Sequence, residues 1–152
     1  MSYLSIISLA EAKNYLKLDD DLTADDPLIT GMIKAAFEFL EKRTNHIMYA
    51  RDVTYYVGIE GLEVYDYPIN TVQSPTDYTD CRFSSRTRYY LTEAGELTLN
   101  VGYETVESVP GTFKQVALQI IDYWYYQNEK KIDNNGMPEL LKQQIDVYRR
   151  FV

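Results

Sequence analysis

Leu97 to Phe151 reads LTLNVGYETVESVPGTFKQVALQIIDYWYYQNEKKIDNNGMPELLKQQIDVYRRF, and this stretch decides the fold. It opens with Leu97, Leu99 and Val101 at period two, the pattern of a half-buried strand, closed by Gly102-Tyr103. Val109-Pro110 marks a helix start, because proline suits a first helical turn where its missing N–H is not needed. Phe113, Val116, Ala117, Ile120, Ile121 and Trp124 follow at helical spacing, which predicts a buried stripe on a helix running to about Lys130. Tyr123, Tyr125 and Tyr126 carry aromatic surface around the same axis. A helix apolar on more than one side packs on two sides or against a partner. Ile132 to Gly136 reads as a flexible break. A last helix then starts at Pro138, carries the stripe Leu140, Leu141, Ile145 and Tyr148, and ends in Arg149-Arg150. One strand is thereby joined to two helices, with a basic-aromatic tail at the chain end.

Toward the N-terminus, Ser8 and Glu11 have the spacing of a capping box, and Leu9, Ala12 and Leu16 fit one face of a short helix over Ser8 to Leu18. The acidic run Asp19-Asp20-Asp21 ends it. Asp26 is placed to cap a second helix with Pro27 at its first position. Its stripe is Ile29, Met32, Ile33, Ala36, Phe37 and Leu40, and Asn45 closes it. Between Asp52 and Tyr103 the pattern changes to short strands. Val53, Tyr55 and Val57 alternate; Leu62, Val64 and Tyr67 follow Gly61. Ser74 to Arg86 is polar enough to read as a long loop or an excursion. Glu93-Ala94-Gly95 reads as a hairpin turn between Arg88–Leu91 and Leu97–Val101. The expected fold is α+β, mainly α: an N-terminal helix pair and two C-terminal helices packed around an inserted small antiparallel β meander, as one domain over residues 1–152.

Composition sets outer limits. At 152 residues the chain can hold a core without staples, and 45% apolar with 25% charged residues is ordinary for a soluble globular domain. Tyrosine is the unusual count, at 15. Its apolar ring and polar tip suit half-buried surfaces and interfaces. The net charge of −8 argues against a free DNA-binding module, since that affinity comes from cations neutralising phosphates. It allows a surface that DNA passes without sticking. One cysteine, Cys81, forms no internal disulfide, so a reducing cytosol is expected. The sequence shows no signal peptide and no apolar run long enough to span a bilayer, so no membrane role is expected.

No catalytic, metal or cofactor constellation emerges. With Asp19 at position 1 of an EF-hand loop, position 6 is Ala24 where glycine is needed and position 12 is Thr30 where glutamate is needed. The acidic cluster therefore reads as a solvated loop. His46 is the only histidine and sits at a helix end; pairing it with Cys81 as a hydrolase dyad has no flanking motif behind it. Phosphate-binding glycine motifs and the G-x-S-x-G elbow are missing. The feature that stands out is Arg149-Arg150-Phe151-Val152, a basic-aromatic end on an acidic chain, because arginine and aromatics are enriched at interface hot spots.

The ordered set of segments resembles the head-tail connector proteins of tailed phages, also called head-completion or adaptor proteins. The resemblance rests on Leu9-x-Glu11-Ala12-Lys13-x-x-Leu16, the acidic loop, and Asp26 through Glu41-Lys42-x-Thr44. It continues through Pro68-Ile69-x-x-Val72, Leu99-x-Val101-Gly102-Tyr103, Val109-Pro110 and Lys114 to Glu129, and ends at Pro138-x-Leu140-Leu141 and Tyr148-Arg149. The departures are the Ser74–Arg86 insertion and an apolar tail end. The resemblance implies a non-catalytic adaptor, without cofactor or metal, in a homo-oligomeric ring under the portal protein. The ring extends the DNA channel, lets DNA through without sequence readout, and receives a neck or tail-completion protein. The protein would be found in the virion neck, and in the host cytoplasm during assembly. The expected partner interface is Tyr123, Tyr126, Tyr148, Arg149, Arg150 and Phe151. Competing readings are a neck or tail-completion protein one layer further out, a Cys-His hydrolase, and a small acidic protein that mimics DNA or binds a basic partner.

Overall fold

The helix that follows Pro110 is α4, Gly111–Gln127, and it packs along α3, Asp26–Thr44. The computed structural model describes residues 1–127 and 139–149. Before α3 come two short helices, α1 (Tyr3–Ile6) and α2 (Leu9–Tyr15); after α4 comes α5 (Glu139–Asp146). Between α3 and α4 lie six strands: β1 (Arg51–Val57), β2 (Leu62–Val64), β3 (Ile69–Ser74), β4 (Tyr78–Arg82), β5 (Thr87–Leu91) and β6 (Gly95–Val101). The α+β class with flanking helices and an inserted β region is as expected.

The helical core follows the sequence stripes. Ile29, Ile33, Ala36, Phe37 and Leu40 of α3 and Phe113, Val116, Ala117, Leu118, Ile120 and Ile121 of α4 are buried together, with Trp124 partly buried beside them. Each such large side chain contributes about 1.5–3 kcal/mol by leaving water, so this seam dominates the stability of the helical half. Half of the expected capping box of α2 forms: Ser8 Oγ accepts from Glu11 N at 3.2 Å, while the Glu11 carboxylate pairs instead with Lys114 at 2.8 Å. α1 is an addition that four residues of sequence could not announce. The cap of α3 is displaced by one residue. Asp25 occupies the cap position and Pro27 the second helical position, because Asp26 is drawn instead to Lys13, 3.1 Å away. Asn45 ends α3 in the left-handed conformation, φ 58°.

The β region departs most from expectation. It is two three-stranded antiparallel sheets, in the orders β1-β6-β3 and β2-β5-β4, rather than one meander. In the first, β6 is central: Val53 opposes Leu99, Tyr55 opposes Leu97 and Ile69 opposes Val101. Residues 93–95 do not make a hairpin. They carry the chain out of the second sheet at β5 and into the first at β6, and those two strands pair with other partners. Alternation identifies a strand but not its neighbour, which long-range register selects. The Ser74–Arg86 segment is likewise a correction, since it contains β4, paired Tyr78↔Leu91 through Arg82↔Thr87. Four of the five β4 residues are exposed, so this edge strand has no apolar alternation to betray it. Leu97, Leu99, Val101, Val57, Val64 and Tyr89 form a second core, separate from the helical one.

Two glycines hold the sheets in place. Gly102 has φ +112°, and a Cβ there would lie 2.3 Å from the Tyr49 carbonyl oxygen. Gly61 has φ +84°, with the Tyr89 carbonyl and the Tyr90 ring 2.8 Å from a Cβ. Only glycine tolerates both the angle and the approach. The expected break at Ile132–Gly136 and the helix start at Pro138 lie outside the described residues. Of the expected α5 stripe, Ile145 is buried at 1% exposure and Tyr148 packs on the same core.

Candidate assembly surfaces

Three polar nodes fix the surfaces that face solvent. The first is Glu41, which is 8% exposed near the end of α3. Its carboxylate accepts from Tyr3 Oη at 3.0 Å, from Met48 N at 2.8 Å, and from both terminal nitrogens of Arg51 at 3.1 and 2.8 Å. One side chain thereby ties α1, α3 and β1, and the paired contacts of a guanidinium on a carboxylate add direction as well as energy. Burial first, then the Glu41 charge, holds the Tyr3 hydroxyl protonated far above its ordinary range. The Glu41 hydrogen bond likewise raises Arg51.

The second node is Lys13, buried at 3% exposure on α2. Its ammonium donates to the carbonyl oxygens of Asp20 and Leu22, both at 2.9 Å, and lies 3.1 Å from Asp26 Oδ1. The two carbonyls take two of its donors, and Asp26 neutralises its charge as an ion pair. Tyr125 Oη donates to Asp25 Oδ2 at 2.7 Å, and Tyr126 Oη donates to the Leu16 carbonyl at 2.6 Å. Asp19, Asp20 and Asp21 are exposed, as expected of a solvated loop, whereas Asp25 and Asp26 are half-buried and partnered and the loop backbone is pinned.

The third node is His46. It is 8% exposed, its Nδ1 lies 2.7 Å from Tyr103 Oη, and the rings of Tyr67, Phe113 and Tyr148 surround it. Cys81 is exposed on β4, in the second sheet. The two members of the hydrolase dyad thus sit in different settings, one sealed among aromatic rings and one on an open strand. Among the described residues no group of three or more His, Cys, Asp or Glu is placed to hold a metal ion. No described helix is long and apolar enough to cross a membrane.

The residues expected at a partner interface divide. Tyr123 and Tyr126 lie on α4; Tyr126 is 38% exposed, with its hydroxyl turned inward to Leu16. Tyr148 packs on Phe113 with ring centroids 4.8 Å apart and donates to Thr112 Oγ1 at 3.0 Å, so it docks α5 onto α4. Arg149 is exposed. Arg150 and Phe151 lie outside the described residues.

Other exposed apolar side chains went unread in the sequence. Ile59 is 88% exposed on the β1–β2 turn, beside Tyr56 at 69%. Phe83 is 49% exposed at the end of β4, with the Arg86 guanidinium 4.8 Å above its ring. A signal for the last was present: Arg82, Arg86 and Arg88 stand between Cys81 and Tyr90 without an acidic residue, in a chain of net charge −8. Arg82 reaches Asp80 at 3.0 Å; Arg86 and Arg88 share Glu63 at 3.2 and 2.5 Å.

Comparison with known proteins agrees with this architecture. No curated protein matches the sequence. Among solved structures, the chain is similar to one from the virion of a native gene transfer agent particle, with TM-score 0.74 and 16% identity over 100% of this chain and 93% of that one. It is similar to one from the neck of an empty gene transfer agent particle computed with C6 symmetry, with TM-score 0.72 and 17% identity over 97% and 91%. It is also similar to one from the neck of the native particle computed with C12 symmetry, with TM-score 0.70 and 13% identity over 99% and 91%. At these identities the likeness is one of fold. The model of the phage gp6-like head-tail connector proteins matches residues 6–149, nearly the whole chain, and the chain belongs to that family of structural head-tail adaptors.

Proposed function

We propose that this protein works as one subunit of a closed ring in the neck of a tailed phage or phage-like particle, seated between the portal and the next neck or tail-completion protein, and that it makes and breaks no covalent bond. The observation that carries the reading is the family match over residues 6–149. The similar chains come from particle necks reconstructed with sixfold and twelvefold symmetry, which favours a ring. Physical chemistry is compatible. A ring needs two different patches on each copy that meet and close, and closure makes weak single contacts tight overall. Exposed Tyr56, Ile59 and Phe83 on the β side, and Tyr126 on the helical side, supply separate patches. The net charge of −8 suits a collar that DNA crosses without being held. In this reading Tyr123, Tyr126 and the Arg149–Phe151 tail face the portal or a neighbouring subunit, and Tyr148 holds the helix that carries the tail.

Electron microscopy of the protein mixed with its own portal tests this. Rings of the protein on the portal are expected. A chain that never binds portal and is missing from purified necks contradicts it. The reading one layer further out predicts crosslinks to tail tube and none to portal in intact particles.

A further inference from the structure

The preceding reading calls for two unlike patches on each copy, and the structure offers a matched pair. We propose that the β4–β5 hairpin of one copy docks on the acidic α2–α3 loop of the next, so that the ring is closed by a basic-aromatic finger on an acidic-apolar socket. The finger carries three guanidiniums: Arg82 beside Asp80, and Arg86 and Arg88, which share Glu63. The Arg82 side chain is 82% exposed. Phe83 stands beside it, 49% exposed, and a cleft of about 240 Å³ opens next to it, lined in part by Asp66, Tyr67, Arg82, Phe83 and Arg86.

The socket has the opposite composition. Asp19, Asp20 and Asp21 are exposed, and Leu22 follows them at 45% exposure. Lys13 holds the Asp20 and Leu22 carbonyls, and Tyr125 holds Asp25, so the loop meets a partner already ordered. Ordering before contact removes an entropy cost from binding. Charge sets the orientation of such a contact, and the Phe83–Leu22 pairing adds apolar burial to it. The finger belongs to the sheet core and the socket is pinned to the helical core. Each chain therefore carries one of each, the arrangement that a head-to-tail contact requires.

Cys81 makes the test direct, because it is the single native cysteine and lies exposed next to Arg82. Asp21→Cys adds a second thiol in the socket. Isolated necks carrying this variant are treated with a short bismaleimide and run on a denaturing gel. A ladder of trimers and larger species is expected from finger-to-socket links, whereas the native chain, with one thiol, stops at dimers. In parallel, Arg82→Glu and Asp20→Lys/Asp21→Lys should each lower ring yield about tenfold, and combining them should restore it; unchanged melting separates assembly from folding. Rings that form normally in the single variants, a combination that fails to recover, or a ladder that stops at dimers overturns the inference and leaves the ring itself standing. Necks without any ring of this protein remove both.

Discussion

At the scale of single residues, a few side chains carry constraints far larger than their neighbours. At Gly102, φ +112°, an added Cβ would meet the Tyr49 carbonyl carbon at 2.6 Å and its oxygen at 2.3 Å. Gly102→Ala adds both an unfavourable angle and a contact with backbone that cannot rotate away, so it should cost roughly 2–4 kcal/mol in chemical denaturation. Lys13→Met should cost about 2–4 kcal/mol, because it keeps the stem but removes the ammonium that donates to two carbonyls and neutralises a carboxylate. The same variant should expose the loop at residues 19–25 to limited proteolysis ahead of the rest of the chain. Neither residue declares itself in sequence. Gly102 read as the end of a strand, and Lys13 as no more than one position of a family pattern, because what each touches lies in segments that only the fold brings near. His46 misleads in the opposite direction: as the single histidine it invites chemistry, and it proves to be an aromatic-packed residue bonded to Tyr103.

At the scale of elements, α5 is held by apolar packing more than by charge. Arg43 and Asp146 form a largely exposed ion pair at 3.2 Å, worth about 0–1 kcal/mol, whereas burial of Ile145 contributes about 2 kcal/mol. Arg43→Ala should therefore leave amide exchange in α5 nearly unchanged, and Ile145→Ala or Tyr148→Ala should raise it strongly. Removing Arg150 to Val152 should spare melting and weaken portal docking, while Tyr148→Ala should weaken both. The helices were readable before the structure because their stripes repeat over several turns: Ile29 to Leu40 and Phe113 to Trp124 each mark one face without ambiguity. The strands were readable singly and not as a set. β1 and β6 alternate cleanly, but nothing in Glu93-Ala94-Gly95 says that the chain is changing sheets. β4 escaped notice because an exposed edge strand has the composition of a loop. The arginines that follow it, in an acidic chain, stood in the sequence as a charge signal that the reading of a polar loop passed over.

At the scale of the whole molecule, the helical core and the sheet core present unlike surfaces on one chain, and the proposed ring needs that difference. The proposed contact joins the exposed Arg82 to the exposed Asp20 and Asp21, so ring formation should weaken as salt rises from about 0.05 to 0.5 M, where the screening length falls to a few ångströms. Folding, carried by the two apolar cores, should hardly respond over the same range. Light scattering and melting on one sample separate the two effects. The most direct measurement is a reconstruction of the particle neck at side-chain resolution. It should show copies of this chain closed around the DNA channel beneath the portal, with no ordered substrate in any cleft; a neck without this protein, or copies that do not close around the channel, would contradict the account.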